Sequence, residues 1–354
     1  MNSRALSGRV KVKSPHTRCL AIILADNVPF YDGDIVDYVY GSQRIAHLGE
    51  LCHLHPERLT LAGFRQRRDT LRETEAIFSC WGMPELTAED LAALPALRAV
   101  FYAGGSVRHF AGPLIERGIE VCNAAEANSV PVAEFCLAQI LLSCKGAYRN
   151  TSACRQGTWK QSAMPVGRGV YGETVALLGI GSISRHLLRL LEPFHLRIIA
   201  VSNYLGEEEA RDLGIDRLVD IPTAFREAYV VSNHLADRAG NRGILGRGLF
   251  ASMRAGATFI NTGRGAQVDE EALVSVLTTR PDLTALLDVQ HPEPPATDSP
   301  IFTLPNIHLT SHIAGSANDE VRRMADSMID EFQRWRSGFP LEFRVDPGEF
   351  GLRA

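Results

Sequence analysis

The chain has 354 residues, 45% of them hydrophobic and 22% charged, with a formal net charge of -4 at pH 7. That length exceeds one ordinary core and predicts two domains. The composition is that of soluble globular proteins, and no apolar run approaches the ~20 residues that span a bilayer. Charges of both signs are interspersed, which excludes the broad basic field of a nucleic-acid binder and leaves small molecules as the expected partners.

Residues 1–18 carry Arg4, Arg9, Lys11, Lys13 and Arg18 without an acid. No apolar stretch of a secretory leader follows before the first strand, so a solvated tail is expected, with a targeting segment or an anion-binding arm as alternatives. The segment Cys19 to Ala25 is a short apolar run that predicts a strand, followed by a helical pattern through Val36, Tyr40 and Ile45. Further runs at Ala76 to Ser79, Arg98 to Tyr102 and Gly118 to Cys122 alternate with helical stretches such as Ala88 to Leu94, so the first ~125 residues predict a small α/β domain. Residues 129–149 predict one long helix opened by Ser129 and Pro131, since proline is tolerated in a first turn, and this helix would connect the domains.

From Gly172 the pattern becomes a regular alternation. Strands are predicted at Val175 to Leu178, Arg197 to Ser202, Tyr229 to Asn233, Thr258 to Thr262, Leu283 to Val289 and Ile307 to Ser311, which implies a parallel, doubly wound sheet. A last helix, Ala317 to Arg336, repeats apolar residues at Val321, Met324, Ala325, Met328, Ile329 and Phe332 and should return to the first domain. The seven cysteines show no CxxC pairing and no zinc spacing; they predict reduced, mostly buried thiols of a reducing cytoplasm and no metal site.

Gly179 to Ser184 reads GIGSIS between a strand and a helix, the context of a dinucleotide turn. Gly179 can make the tight turn, and Gly181 lets the backbone approach a pyrophosphate at the helix N-terminus. A plain strand-to-helix turn is the alternative, and Ser184 stands where a third glycine is usual. The ribose-binding acid is expected roughly twenty residues on. The strand there ends in Ser202 and Asn203, with no carboxylate to exclude a 2′-phosphate and no arginine immediately following to attract one.

Three further strand ends carry chemistry. TFINTGRG places Arg264 in a glycine-flanked turn, LDVQHPEP places Glu293 in a proline-rich loop, and IHLTSHIAG places His312 beyond the final strand. Singly these are a surface cation, a loop carboxylate and a packed histidine. Together, at successive strand ends behind a dinucleotide turn, they suit hydride transfer to a 2-oxo acid. A guanidinium clamps the carboxylate and polarises the carbonyl, and a histidine oriented by a carboxylate moves the proton.

At these residues the chain resembles the D-isomer-specific 2-hydroxyacid dehydrogenase family, over roughly residues 70 to 345. The matching stretches are RQGTWK (Arg155 to Lys160), GETVALLGIGSI, MRAGATFINTGRGAQVDEEAL (Met253 to Leu273), LDVQHPEP and HLTSHIAGS (His308 to Ser316). The VAEF of Val132 to Phe135 is similar to a segment of the family's connecting helix. The resemblance implies two Rossmann-like α/β domains. Residues 129–316 would be a doubly wound NAD(P)-binding domain, and 1–128 with 317–354 a smaller flavodoxin-like substrate domain.

It further implies that Arg264, Glu293 and His312 are catalytic, that NAD or NADP is the cofactor, and that the protein is a cytoplasmic homodimer. Ile180, Ser182, Ile183, His234, Leu235, Thr262 and Gly263 would line the cofactor with the residues already named, and Asp288 would hold the nicotinamide amide. The backbone at Ala103 to Val107, with Gly104, Gly105 and Ser106, would grip the substrate carboxylate beside Arg264. Ser184, Ser202, Ala236 and Ser311 depart from the family pattern. Trp81, in SCWGMP, would offer an apolar wall rather than a cationic segment, or would simply pack in the core; Arg65, Arg67, Arg68 and Arg108 could supply charge instead. An unphosphorylated 2-oxo acid, such as glyoxylate, hydroxypyruvate or a larger homologue, is the expected substrate. The alternatives are a nucleotide-sensing, non-catalytic protein akin to the C-terminal-binding corepressors, and a formate dehydrogenase, against which Glu293 argues.

Overall fold

The computed structural model describes residues 19–159, 167–348 and 350; the basic segment 1–18, and Lys160 of the RQGTWK stretch, lie outside the described residues. The described chain divides into two compact units, one of residues 19–124 with Val321–Pro347 and the other of Ala125–Glu320.

The first unit holds β1 (Leu20–Ile23), β2 (His53–Leu54), β3 (Ala76–Ser79), β4 (Ala99–Tyr102) and β5 (Glu120–Asn123). They pair in parallel in the order β2-β1-β3-β4-β5, with Ile22 opposite Ile77 and Ile77 opposite Val100. This is the flavodoxin-like order. β3 and β4 are buried at every position, as befits central strands covered on both faces. The helix Val321–Ser337 lays Met324, Met328, Ile329 and Phe332 on this sheet, and the Phe332 ring stands 5.1 Å from Phe78 and 5.5 Å from Phe101. Its predicted one-faced pattern is therefore the buried one. It begins at Val321, after a 3₁₀ turn at Asn318–Glu320, rather than at Ala317.

The second unit holds β6 (Tyr171–Leu178), β7 (His195–Val201), β8 (Arg217–Leu218), β9 (Val230–Asn233), β10 (Thr258–Asn261), β11 (Thr284–Leu287) and β12 (Ile307–Leu309). All pair in parallel in the order β12-β11-β10-β9-β6-β7-β8. The winding reverses between β6 and β9, and the carboxyl ends of strands at such a switch point are where doubly wound sheets take up ligands. The β8 strand and the seven-residue helix Ile221–Glu227, capped by Asp220 at the N–H of Thr223, were not foreseen; their apolar runs are too short to stand out.

The predicted helix over 129–149 is corrected in two ways. It starts at Ala125 and ends at Cys144, and a second helix, Ala147–Arg155, follows Gly146. Pro131 thus lies inside the helix, not in its first turn. The proline removes one intrahelical hydrogen bond. Burial of Val132, Ala133, Cys136 and Ile140 against Val175, Leu177 and Ile198 holds the helix across it. With a mean hydropathy of 1.3 over an 18-residue window, Ala125–Cys144 is long and apolar enough, by length and composition only, to cross a membrane, and 44% of that window is buried. None of the seven cysteines is disulfide-bonded; six are buried, and Cys154 is half-buried.

Candidate active site

The turn after β6 is shaped for a ligand. Gly179 has φ +88°, and a Cβ there would stand 2.7 Å from the His234 carbonyl oxygen, so only glycine fits. Gly181 caps the ten-residue helix Ser182–Leu191, and a Cβ at Gly181 would meet no atom of the described residues within 4 Å, which leaves room for a pyrophosphate over the helix N-terminus. Ser184 takes the place of the third glycine: its buried hydroxyl donates to the Gly179 carbonyl at 2.6 Å and ties the helix to the turn. Ile180 and Ile183 pack partly buried on the core. Ser182 Oγ is hydrogen-bonded to Glu126, whose other oxygen lies 2.8 Å from His186 Nε2.

Beyond β9, His234 is buried with Nε2 2.8 Å from Ser232 Oγ, while its Nδ1 has no hydrogen-bond partner among the described residues. Burial holds this imidazole down to about 4. Thr262 is buried, with Oγ1 3.3 Å from Cys136 Sγ. A tight glycine turn, an open helix N-terminus and an orphaned buried nitrogen together fit a dinucleotide.

Arg264 follows β10 in a turn locked by a buried amide network that sequence reading missed. Asn233 Nδ2 donates to Asn261 Oδ1 at 2.9 Å and to Gln267 Oε1 at 2.7 Å. Gln267 Nε2 donates to the carbonyls of Leu235 and Ala236, both at 2.9 Å, and Asn261 Oδ1 accepts the Gly263 N–H at 3.1 Å. The available signal was a polar residue at the end of each apolar run. Arg264 itself is half-buried, donating Nη1 to the Gly263 carbonyl at 2.8 Å and lying 3.7 Å from Asp237, a carboxylate also missed.

β11 and β12 supply the other two groups. His312 Nδ1 is 2.6 Å from Glu293 Oε1, with side chains 50% and 39% exposed, so the pair is in contact yet open to a ligand. With the carboxylate accepting from Nδ1–H, Nε2 is the nitrogen left for substrate. Asp288, at the end of β11, accepts from Thr310 Oγ1 at 2.6 Å and from the N–H groups of Ile313 and Ala314 at 2.8 and 3.0 Å. Its backbone carbonyl accepts the His312 N–H at 2.9 Å. Asp288 therefore builds the loop that presents His312.

Residues 137–314 match the family model described as D-isomer specific 2-hydroxyacid dehydrogenase, NAD binding domain. The chain belongs to that family. Among D-isomer specific 2-hydroxyacid dehydrogenases and their relatives it is 32% identical over 247 residues to a (S)-sulfolactate dehydrogenase of Chromohalobacter salexigens, a match covering 70% of this chain and 80% of that one. It is 26% identical over 263 residues to a D-3-phosphoglycerate dehydrogenase of Archaeoglobus fulgidus, covering 74% of this chain and 50% of that protein, so it spans about half of that relative's length. The crystal structure of apo D-mandelate dehydrogenase from Rhodotorula graminis shares the fold, with a TM-score of 0.76 at 21% identity over 93% of this chain and 98% of that one.

The other sequence-predicted residues fall in two places. Ser202 Oγ accepts the N–H groups of Tyr204 and Leu205 at 3.2 Å, and Asn203 beside it is exposed. Leu235 N–H donates to Asn233 Oδ1 at 3.3 Å. In the first unit, of the backbone expected to grip the substrate carboxylate, Gly104 already gives its N–H to the Tyr102 carbonyl at 2.9 Å; Gly105 and Ser106 are half-buried. Trp81 is half-buried and stands edge-on to the exposed Phe30 at 5.9 Å, so it is neither a buried core residue nor a bare wall.

Proposed function

We propose that this chain transfers a hydride between a nicotinamide nucleotide and C2 of a small 2-hydroxy or 2-oxo acid. The observation that carries this is the 2.6 Å contact of His312 Nδ1 with Glu293, at the ends of β12 and β11, next in the sheet to the strand β10 that presents Arg264. A bound nicotinamide would carry the hydride. For the reduction, Arg264 holds the substrate carboxylate by charge-assisted bonds and polarises the neighbouring carbonyl. His312 gives the Nε2 proton to the carbonyl oxygen, and Glu293 stabilises the ring in the tautomer and orientation this requires. In the opposite direction the same nitrogen takes the hydroxyl proton. The unit of Ala125–Glu320 is the nucleotide domain in this reading, and the unit of 19–124 and Val321–Pro347 binds substrate through the loop at Gly104, Gly105 and Ser106.

The substrate's side group is proposed to be uncharged. Three of the arginines that could have met a phosphate are committed to carboxylates: Arg65 to Asp90 at 2.9 and 2.8 Å, Arg67 to Glu57 at 2.8 Å and Arg68 to Glu89 at 2.5 Å. The loop after β3 presents Trp81 instead, with Phe30 of the loop after β1 edge-on to it. Two relatives are named for phosphorylated and sulfonated acids, so the deciding assay compares kcat/KM for glyoxylate, hydroxypyruvate, 3-phosphohydroxypyruvate and sulfopyruvate with both reduced nucleotides. The expected order favours the uncharged side groups. A clear preference for the phosphorylated or sulfonated acid contradicts the side-group reading, whereas nucleotide binding with no turnover of any of them contradicts the catalytic one.

A further inference from the structure

β7 ends at Val201, and the residues beyond it stand where a doubly wound nucleotide domain receives the adenosine ribose. A ribose diol is best met by a carboxylate that accepts from both hydroxyls, whereas a 2′-phosphate needs donors and positive charge. Here the position is held by Ser202, which closes its turn by accepting the Tyr204 and Leu205 N–H groups. Its hydroxyl keeps a hydrogen to donate.

From the loop after β9, Arg238 reaches the same place. Its guanidinium carbon lies 5.2 Å from the centre of the Tyr204 ring, and Nη1 donates to Tyr204 Oη at 2.5 Å. A planar guanidinium stacked on an aromatic face and bonded to its hydroxyl is preorganised for anion recognition. Tyr204 is 73% exposed, so the platform is accessible.

We propose that Arg238, held on Tyr204, is the 2′-phosphate clamp of this domain, with the Ser202 hydroxyl as a second donor, and that the site prefers the phosphorylated nicotinamide nucleotide. The assignment rests on the nucleotide-domain reading above. Sequence inspection finds no arginine immediately after Ser202 because the cation comes from a different loop, 36 positions further along the chain.

Calorimetric titration of the full chain with NADPH, NADH, 2′,5′-ADP and 5′-AMP tests it without turnover. The wild type should bind NADPH tighter than NADH, and 2′,5′-ADP tighter than 5′-AMP. Arg238→Gln should raise Kd for the two 2′-phosphorylated probes roughly 10- to 100-fold, the scale of a lost charge-assisted bond, and leave the other two within about twofold. Ser202→Asp keeps a side-chain oxygen for the turn and should reverse the preference by repelling the phosphate. Equal wild-type affinity for NADH and NADPH, or an equal loss for all four probes in Arg238→Gln, overturns the clamp. Wild-type protein that binds none of the four overturns the nucleotide-domain reading itself.

Discussion

His312 adopts φ 59°, a left-handed conformation uncommon outside glycine, and the hydrogen bonds around Asp288 hold it there. The identity of this residue and of Glu293 was legible in the sequence because each follows an apolar run at a strand end. Asp288's part in building the loop was not, since three separate donors have to converge on it. His234 has a consequence of its own. As a base held at about 4 against an ordinary 6.5, it stays neutral in the fold while the unfolded chain takes up a proton. The associated stability is complete above pH 6.5 and is lost as the pH falls toward 4, by up to roughly 3 kcal/mol. Urea unfolding of the wild type and of His234→Asn between pH 7 and 4 should show a shallower decline in the variant. Identical pH slopes would remove His234 from that account.

The elements that place the site depend on close backbone approach as much as on side chains. Gly265 follows Arg264, and a Cβ there would stand 2.0 Å from the carbonyl carbon and oxygen of Gln290, three positions before Glu293. Backbone cannot swing aside as a flexible side chain does, so Gly265→Ala must force the β10 turn and the β11 loop apart. We expect a loss of stability in the range of about 1–3 kcal/mol that overpacking brings, together with a fall in kcat, because both catalytic loops shift. A stable, fully active Gly265→Ala protein would show that the two loops are not coupled. Strand type and approximate position were readable from short apolar runs, as at Ala76–Ser79. The start of the helix Ala125–Cys144 was not, because Pro131 reads as a first-turn residue until the burial that carries the helix past it is known.

For the whole molecule, alternating strands and helices predict parallel sheets, but strand order is set by which crossovers pack where, and that is not written in any local window. The orders β2-β1-β3-β4-β5 and β12-β11-β10-β9-β6-β7-β8 are therefore the structure's contribution, and the second locates the switch point beside Gly179. A D-isomer specific 2-hydroxyacid dehydrogenase fold can host catalysis or nucleotide sensing alone, so the proton-transfer pair must decide between them. The most direct measurement is kcat for hydroxypyruvate reduction by wild-type and His312→Ala protein, with nucleotide Kd determined on both. Our account predicts turnover by the wild type, a fall on the order of 10²–10⁴-fold in the variant, and an unchanged nucleotide Kd. A variant that keeps near-wild-type kcat at neutral pH would contradict it.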